Sequence, residues 1–245
     1  SSNIPDVVYV YNITLEDIYN GKKLDLKYKR TDLCEGCNGS GSSTGKTYKC
    51  DGCNGNGINV TVRQIGPGML QQMQTPCNKC NGSGESSNDN DKCKKCNGVK
   101  TNMSFNNFSY DMAKGFPSNA NVSINDEGNI DPKTKKRSKL IINFTIEKHN
   151  IFTRDNNNLL MKMNITLAEA LCGVKKSIPY FNNTTIVFDN PLEIPIKNCD
   201  KRILHNKGMP VFQSNGFGDL VIEITVYYPS YDNIKKNEDI IRTIF

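Results

Sequence analysis

Eight of the ten cysteines stand in four Cys-x-x-Cys pairs: Cys34/Cys37, Cys50/Cys53, Cys77/Cys80 and Cys93/Cys96. The spacing Cys-x2-Cys-x12-Cys-x2-Cys occurs twice, with twenty-three residues between the two copies. Two such pairs complete a tetrahedron of thiolates around Zn2+, and a site closed by four sulfurs keeps no position open for a reactive water. The chemistry expected is therefore structural metal binding, two Zn2+ per chain and no catalysis at either. Disulfides and redox dithiols fit the pattern poorly. Secreted scaffolds seldom space eight cysteines so evenly, and a redox Cys-x-x-Cys normally stands once, at the start of a helix. Asn-Gly follows the second cysteine of every pair, at Asn38-Gly39, Asn54-Gly55, Asn81-Gly82 and Asn97-Gly98. These residues supply the tight turns and positive φ angles that wrap backbone around sulfur.

Which pairs share a metal depends on the connector. Ile58-Asn59-Val60-Thr61-Val62 alternates in strand fashion, Gly66-Pro67-Gly68 breaks it, and Met69 to Gln74 follows, a pattern that predicts a β-hairpin. Folding it back sets Cys50/Cys53 beside Cys77/Cys80 and leaves Cys34/Cys37 for Cys93/Cys96. Sequential pairing within each twenty-residue unit is the alternative that periodicity leaves open. Gly41 to Thr47 imitates a phosphate loop, but its glycines are one residue too close and no apolar strand precedes it.

These elements need a scaffold. Val7 to Tyr11 and Leu24 to Tyr28 read as strands around Thr14-Leu15-Glu16-Asp17, a capping-box start to a short helix that Gly21 ends. Met103 to Phe105, Phe108 to Tyr110 and Leu140 to Ile146 supply further strands, so residues 34–96 read as an insertion into one sheet domain. Residues 119–139 are polar, with a basic run at Lys133, Lys135, Lys136, Arg137 and Lys139, and read as a solvated surface excursion. Leu159 to Ile165 is a strand followed by Thr166-Leu167-Ala168-Glu169, a second capping box, and by Gly173. Strand, box, glycine, strand thus occurs twice and predicts a second, related sheet domain. Ile178 to Val187 and Leu220 to Tyr227 continue it, and Asn233 to Phe245 reads as a short amphipathic helix.

The composition, 36% hydrophobic and 23% charged, excludes wholesale disorder and coiled coils. The first residues show neither the basic segment nor the apolar run of a secretory signal. The formal charge is +6, yet eight thiolates with two dications contribute −4 and bring it to +2. Within residues 31–100, eight Lys/Arg face six Asp/Glu, so the metal-loaded module is net negative. That argues against the rival reading, a zinc-dependent nucleic-acid-binding protein. His149 and His205 lie far from any acid-nucleophile motif, Cys172 reads as a small packed residue and Cys199 as a bystander. An enzyme is not expected.

The four "CxxCxGxG"-type repeats, "VTVRQIGPGMLQQMQTPC" between them, the strand-turn units at Thr14 and Thr166, and "KGMP" at Lys207 followed by "GFGDL" at Gly216 carry a resemblance. From about Val7 to its C-terminus the chain resembles the substrate-binding half of a class A J-domain co-chaperone (type I Hsp40, DnaJ family). The implied fold is mainly β: two related β-sandwich-like domains in tandem, a two-zinc Cys-rich module inserted in the first, and a short C-terminal helix. Residues 4–33 and 97–150 would form the first domain, 34–96 the module, 151–230 the second domain, and 231–245 the start of a dimerisation segment. The family's nested ligand sets would be Cys50, Cys53, Cys77 and Cys80 for the inner zinc, tied to transfer of the client to the partner, and Cys34, Cys37, Cys93 and Cys96 for the outer. Matching the family's client pocket points to Leu26, Tyr28, Phe108 and Ile142. The implied partners are non-native apolar polypeptides, a 70-kDa heat-shock chaperone and a second copy through the C-terminus, with neither nucleic acid nor membrane, and the expected location is the cytoplasm. The family's ATPase-stimulating His-Pro-Asp triplet does not occur in these residues. In the fourth repeat Val99-Lys100 replaces the usual Gly continuation, and Ser138-Lys139 replaces the usual Gly-Asp.

Overall fold

The computed structural model describes residues 4–66, 68–80, 82–86 and 89–244. Ser1 to Asn3, Pro67, Asn81, Ser87, Asn88 and Phe245, on some of which the expected hairpin turn, third knuckle and terminal helix fall, lie outside the described residues. The chain forms two compact units. One comprises Ser1–Tyr9, Leu26–Phe108 and Asn121–Asn143, the other Val10–Asp25, Ser109–Ala120 and Phe144–Phe245.

The same strand topology is used twice. β1 (Val7–Ile13), α1 (Leu15–Asn20) and β2 (Lys22–Leu33) lead into the cysteine-rich segment, which holds β3 (Tyr48–Lys49), β4 (Ile58–Gly66), β5 (Met69–Pro76) and β6 (Glu85–Ser86). The chain returns as β7 (Thr101–Met112), which pairs with β2, and continues into β8 (Asn121–Ile124) and β9 (Leu140–Ile146), giving a sheet of order β1-β9-β8. After β10 (Thr153–Asp155) the second round runs β11 (Asn158–Thr166), α2 (Leu167–Cys172), β12 (Val174–Pro179), β13 (Thr185–Asn190), β14 (Lys201–Leu204) and β15 (Leu220–Tyr227). There β12 pairs with β13 and the larger sheet has order β10-β11-β15-β14. Apart from the added strand β10, the large difference among the described residues is the β2–β7 connection, which carries the cysteines where β12 and β13 are joined by the short segment 180–184.

Local chemistry explains the repeat. Thr14 Oγ1 accepts the Asp17 N–H at 3.1 Å while an Asp17 carboxylate oxygen accepts the Thr14 N–H at 3.2 Å; Thr166 and Glu169 do the same at 3.2 and 2.8 Å. Each box satisfies two helix-end donors, a contribution of about 1 kcal/mol per cap. Period-two alternation then buries one face: Leu220, Ile222, Ile224 and Val226 of β15 are all buried, and they lie in parallel register with Leu159 to Thr166 of β11. On β12 and β13, Ile178 and Ile186 are directly paired and both buried.

Two expectations change. Residues 119–139 are not simply a solvated excursion: Asn121–Ile124 forms β8, antiparallel to β9. The four-residue strand is too short for its alternation to stand out, and only the adjoining β9 edge gives its backbone groups partners. Nor is the basic run free. Arg137 forms an ion pair with Asp32, and Lys135 Nζ donates to the Asn38 carbonyl at 3.2 Å. The C-terminal segment is helical in two short pieces, α3 (Tyr231–Lys236) and α4 (Glu238–Ile244), separated at Asn237 and without a buried residue.

Close backbone approach in the second repeat makes a sharp test. A Cβ at Gly218 would lie 1.9 Å from the Asn157 carbonyl oxygen, whereas one at Gly216 would meet nothing nearer than 3.7 Å. In zinc-saturated buffer, urea unfolding should show Gly218→Ala destabilised by about 1–3 kcal/mol or more. Gly216→Ala should stay within about 0.5 kcal/mol of the parent.

Candidate metal centres and the β2–β7 face

The module is one long antiparallel run folded on itself. Leaving β2, Cys34 N–H donates to Lys100 O at 3.0 Å; Cys93 N–H then donates to Gly41 O at 2.9 Å and Ser43 N–H to Asp91 O at 2.8 Å. Tyr48 and Lys49 pair with Ser86 and Glu85, Cys50 N–H donates to Gly84 O, Cys77 N–H donates to Gly57 O, and β4 pairs with β5 from Ile58↔Pro76 onward. From Cys34/Lys100 to Gln64/Leu70 each step forward on the outgoing limb is matched by an equal step back on the returning limb, and a bulge before Gly66 shifts the register only at the tip. The cysteine pairs are therefore brought together in nested order.

Two sulfur clusters result, Cys34/Cys37/Cys93/Cys96 and Cys50/Cys53/Cys77/Cys80, with the four Sγ atoms of each within 4.8 Å of one another. Cys34–Cys93 and Cys37–Cys96 are separated by 3.9 and 3.7 Å, Cys50–Cys77 and Cys53–Cys80 by 4.0 and 3.7 Å. Zn–S bonds of about 2.3 Å in a tetrahedron require sulfurs about 3.8 Å apart, so each cluster can hold a zinc ion as it stands. Backbone N–H groups already point at the sulfurs: Gly41 to Cys37 at 3.3 Å, Gly57 to Cys53 at 3.1 Å, and Gly84 to Cys80 at 3.2 Å. These bonds stabilise thiolate over thiol.

Four ionisable sulfurs in one enclosed place cannot all carry charge without a cation. Burial pushes Cys50 up to about 11 and Cys96 up to about 12. The Cys96 backbone N–H lowers Cys93 to about 7; at Cys80 burial acts the other way, but the Gly84 N–H and the neighbouring sulfurs bring it to about 7. A dication removes the conflict by neutralising half of the tetrathiolate charge.

The segment that imitates a phosphate loop has an internal occupant. Ser42, Ser43 and Thr44 hydroxyls donate to the Asp91 carboxylate at 2.5, 2.6 and 2.7 Å, and these bonds hold its pKa down to about 2. The contribution is thus complete above the ordinary carboxylate value and fades as pH falls toward 2. It clasps the two limbs next to the outer cluster. Basic side chains of the module are paired as well, Lys79 with Asp51, Lys95 with Glu35 and Lys100 with Glu85, which leaves fewer of them for phosphates.

Beside the module, β2 and β7 present two faces. Leu26, Tyr28 and Ile142 are 1, 3 and 0% exposed and belong to the interior, while Phe108 is half-buried. The Tyr28 hydroxyl lies 2.8 Å from both a carboxylate and the carbonyl oxygen of Glu127, and burial with that contact pushes its pKa up to about 12. Arg30 joins the same carboxylate at 2.6 Å, and Asp32 is held by Arg137, Ser104 and Asn106. The opposite face carries Met103 and Phe105, 68 and 63% exposed. Lys27 and Lys29 ammoniums sit 5.1 and 5.0 Å from the Phe105 ring centroid, in cation-π range. The sequence placed Met103 to Phe105 on a strand without assigning this face a role; the odd-even alternation of 103, 105 against 104, 106, 108 was the available signal.

Nested pairing makes a stoichiometric prediction. Cys34→Ser/Cys96→Ser should lose one zinc per chain, because both residues serve one ion. Cys34→Ser/Cys50→Ser should lose both, where sequential pairing would lose one. Elemental analysis of the purified variants, alongside a parent holding two, decides it.

Comparison with known proteins agrees with this geometry. Residues 7–229 match the family model for the DnaJ C terminal domain. The chain is 37% identical over 225 residues to DnaJ homolog subfamily A member 4 of Homo sapiens (91% of this chain, 56% of that protein), and 35% identical over 243 residues to human DnaJ homolog subfamily A member 2 (96% and 58%). To DnaJ protein homolog 1 of Allium porrum it is 33% identical over 226 residues, 91% of this chain and 56% of that one. The chain thus spans little more than half the length of these relatives. With the family model covering most of the residues and relatives from subfamily A, this chain belongs to the DnaJ C-terminal domain family.

Proposed function

We propose that these 245 residues are the client-holding part of a class A J-domain co-chaperone, which binds non-native apolar polypeptide and presents it to a 70-kDa heat-shock chaperone. The observation that carries this reading is the pair of nested four-cysteine clusters set between β2 and β7 of a DnaJ C-terminal domain. Its parts would be a first β domain at 4–33 and 97–150, the module at 34–96, a second β domain at 151–230 and a dimerisation segment from 231. We assign no catalytic role to any residue. Exposed Tyr231, Ile240 and Ile244 on the terminal helices are suited to contact with a second copy.

An extended client can add along an edge of the β2–β7 ribbon, taking main-chain hydrogen bonds there and offering side chains to the apolar surface beside it. Leu26, Tyr28, Phe108 and Ile142 are the proposed pocket. Since three of them are enclosed, Phe108 is the first point of contact, and a client reaching Leu26 and Ile142 must part their cover. No helix among the described residues is long and apolar enough to cross a membrane.

Phe108→Ser should weaken binding of an apolar extended peptide by about 1–3 kcal/mol, the scale of a buried anchor, with two zinc ions retained. Unchanged affinity, measured by fluorescence anisotropy at fixed salt, would move the pocket elsewhere. A second measurement separates holding from ATPase activation. The parent chain should suppress aggregation of an unfolded client, because apolar burial needs no nucleotide. It should leave single-turnover ATP hydrolysis by the partner chaperone unaltered until a J domain is fused before Ser1. Stimulation by the unfused chain would overturn this division of labour.

A further inference from the structure

The Asn-Gly steps after each knuckle are reactive chemistry held in check by geometry. In an Asn-Gly sequence the glycine nitrogen can attack the asparagine side-chain carbonyl carbon, because no Cβ shields it. The new C–N bond closes a succinimide, the glycine N–H proton leaves with the side-chain nitrogen as ammonia, and water opens the ring to aspartate or isoaspartate. No oxidant or reductant enters the reaction.

Asn38, Asn54 and Asn97 are exposed and hold left-handed φ angles of 48, 50 and 48°. The groups that must move for ring closure are tied to the knuckles. Gly55 N–H donates to Cys50 O at 3.1 Å, and Gly82 N–H donates to Cys77 O at 3.3 Å. Each tie runs to a metal-ligating cysteine, so it lasts as long as the knuckle keeps its shape. Releasing the sulfurs frees the glycine nitrogen.

We propose that Asn54, whose following glycine nitrogen is held by the knuckle, is a deamidation site masked while the inner cluster holds zinc and opened when zinc leaves, which makes prolonged metal loss irreversible. Irreversibility follows from the product. Isoaspartate adds a carbon to the backbone inside the turn and places a carboxylate next to sulfurs that must gather around one cation. The inference rests on the two-zinc reading, and the zinc count taken at the start separates its failure from the failure of that reading.

The test incubates the full chain at neutral pH with a thiol reductant, in one arm zinc-loaded and in the other stripped by a chelator, followed by peptide mapping that resolves aspartate from isoaspartate. Asn215-Gly216 is exposed, precedes no cysteine ligand and serves as the internal reference. Asn54 should convert several-fold faster in the stripped arm while Asn215 converts equally in both. After zinc is restored, the loss of zinc capacity should track isoaspartate content. The variant Asn54→Gly keeps a residue that accepts positive φ and has no side-chain amide there. It should recover two zinc ions after the same incubation. Equal conversion of Asn54 with and without zinc, or full zinc recovery by a deamidated parent, would overturn the proposal.

Discussion

One antiparallel register, kept from the end of β2 to Gln64 opposite Leu70, governs this molecule. Cys34 with Lys100, Gly41 with Cys93, Cys50 with Gly84 and Gly57 with Cys77 are successive rungs of one ladder. With that register set, no freedom remains in how four cysteine pairs combine, and both clusters form at fixed points along it. Backbone hydrogen bonds and sulfur ligands support each other here. The few rungs between knuckles belong to two-stranded pieces, marginal by themselves, and the knuckles are too small to have cores. Metal bridges between the limbs take the place that apolar packing has in an ordinary sheet.

Polar side chains do comparable work at the junctions. Asp91 gathers three hydroxyls of the opposite limb. Asp32, at the end of β2, gathers Ser104 and Asn106 from β7 and Arg137 from the segment before β9. Each carboxylate has its charge answered by several donors, the condition under which a half-buried acid stabilises a structure. The module is thereby joined to its β domain by charge and hydrogen bonds, while the interior below Leu26, Tyr28 and Ile142 remains apolar.

The two repeats show why the insertion is tolerated. β1-α1-β2 and β11-α2-β12 solve the same burial problem with the same capping box and strand order. A connection between two paired strands can lengthen without disturbing their pairing, because closure entropy grows slowly with loop length. Between β12 and β13 that connection stays short; between β2 and β7 it became a metal-bound arm.

Much of this was legible in the amino-acid order because it is local. Cys-x-x-Cys spacing, the boxes at Thr14 and Thr166, and the alternation of β4, β11 and β15 are decided within a few residues of themselves, and so could be read directly. The connector's hairpin pattern pointed to nested knuckles while leaving sequential pairing open, but the strand at Asn121–Ile124, the engagement of Arg137 by Asp32 and the clasp on Asp91 could not be read. Each joins residues far apart in the chain and depends on a register that no short window contains. The same reason separates the two faces of β7: alternation assigns Phe105 and Phe108 to opposite sides, but only packing against β2 and the neighbouring sheet decides which side is covered.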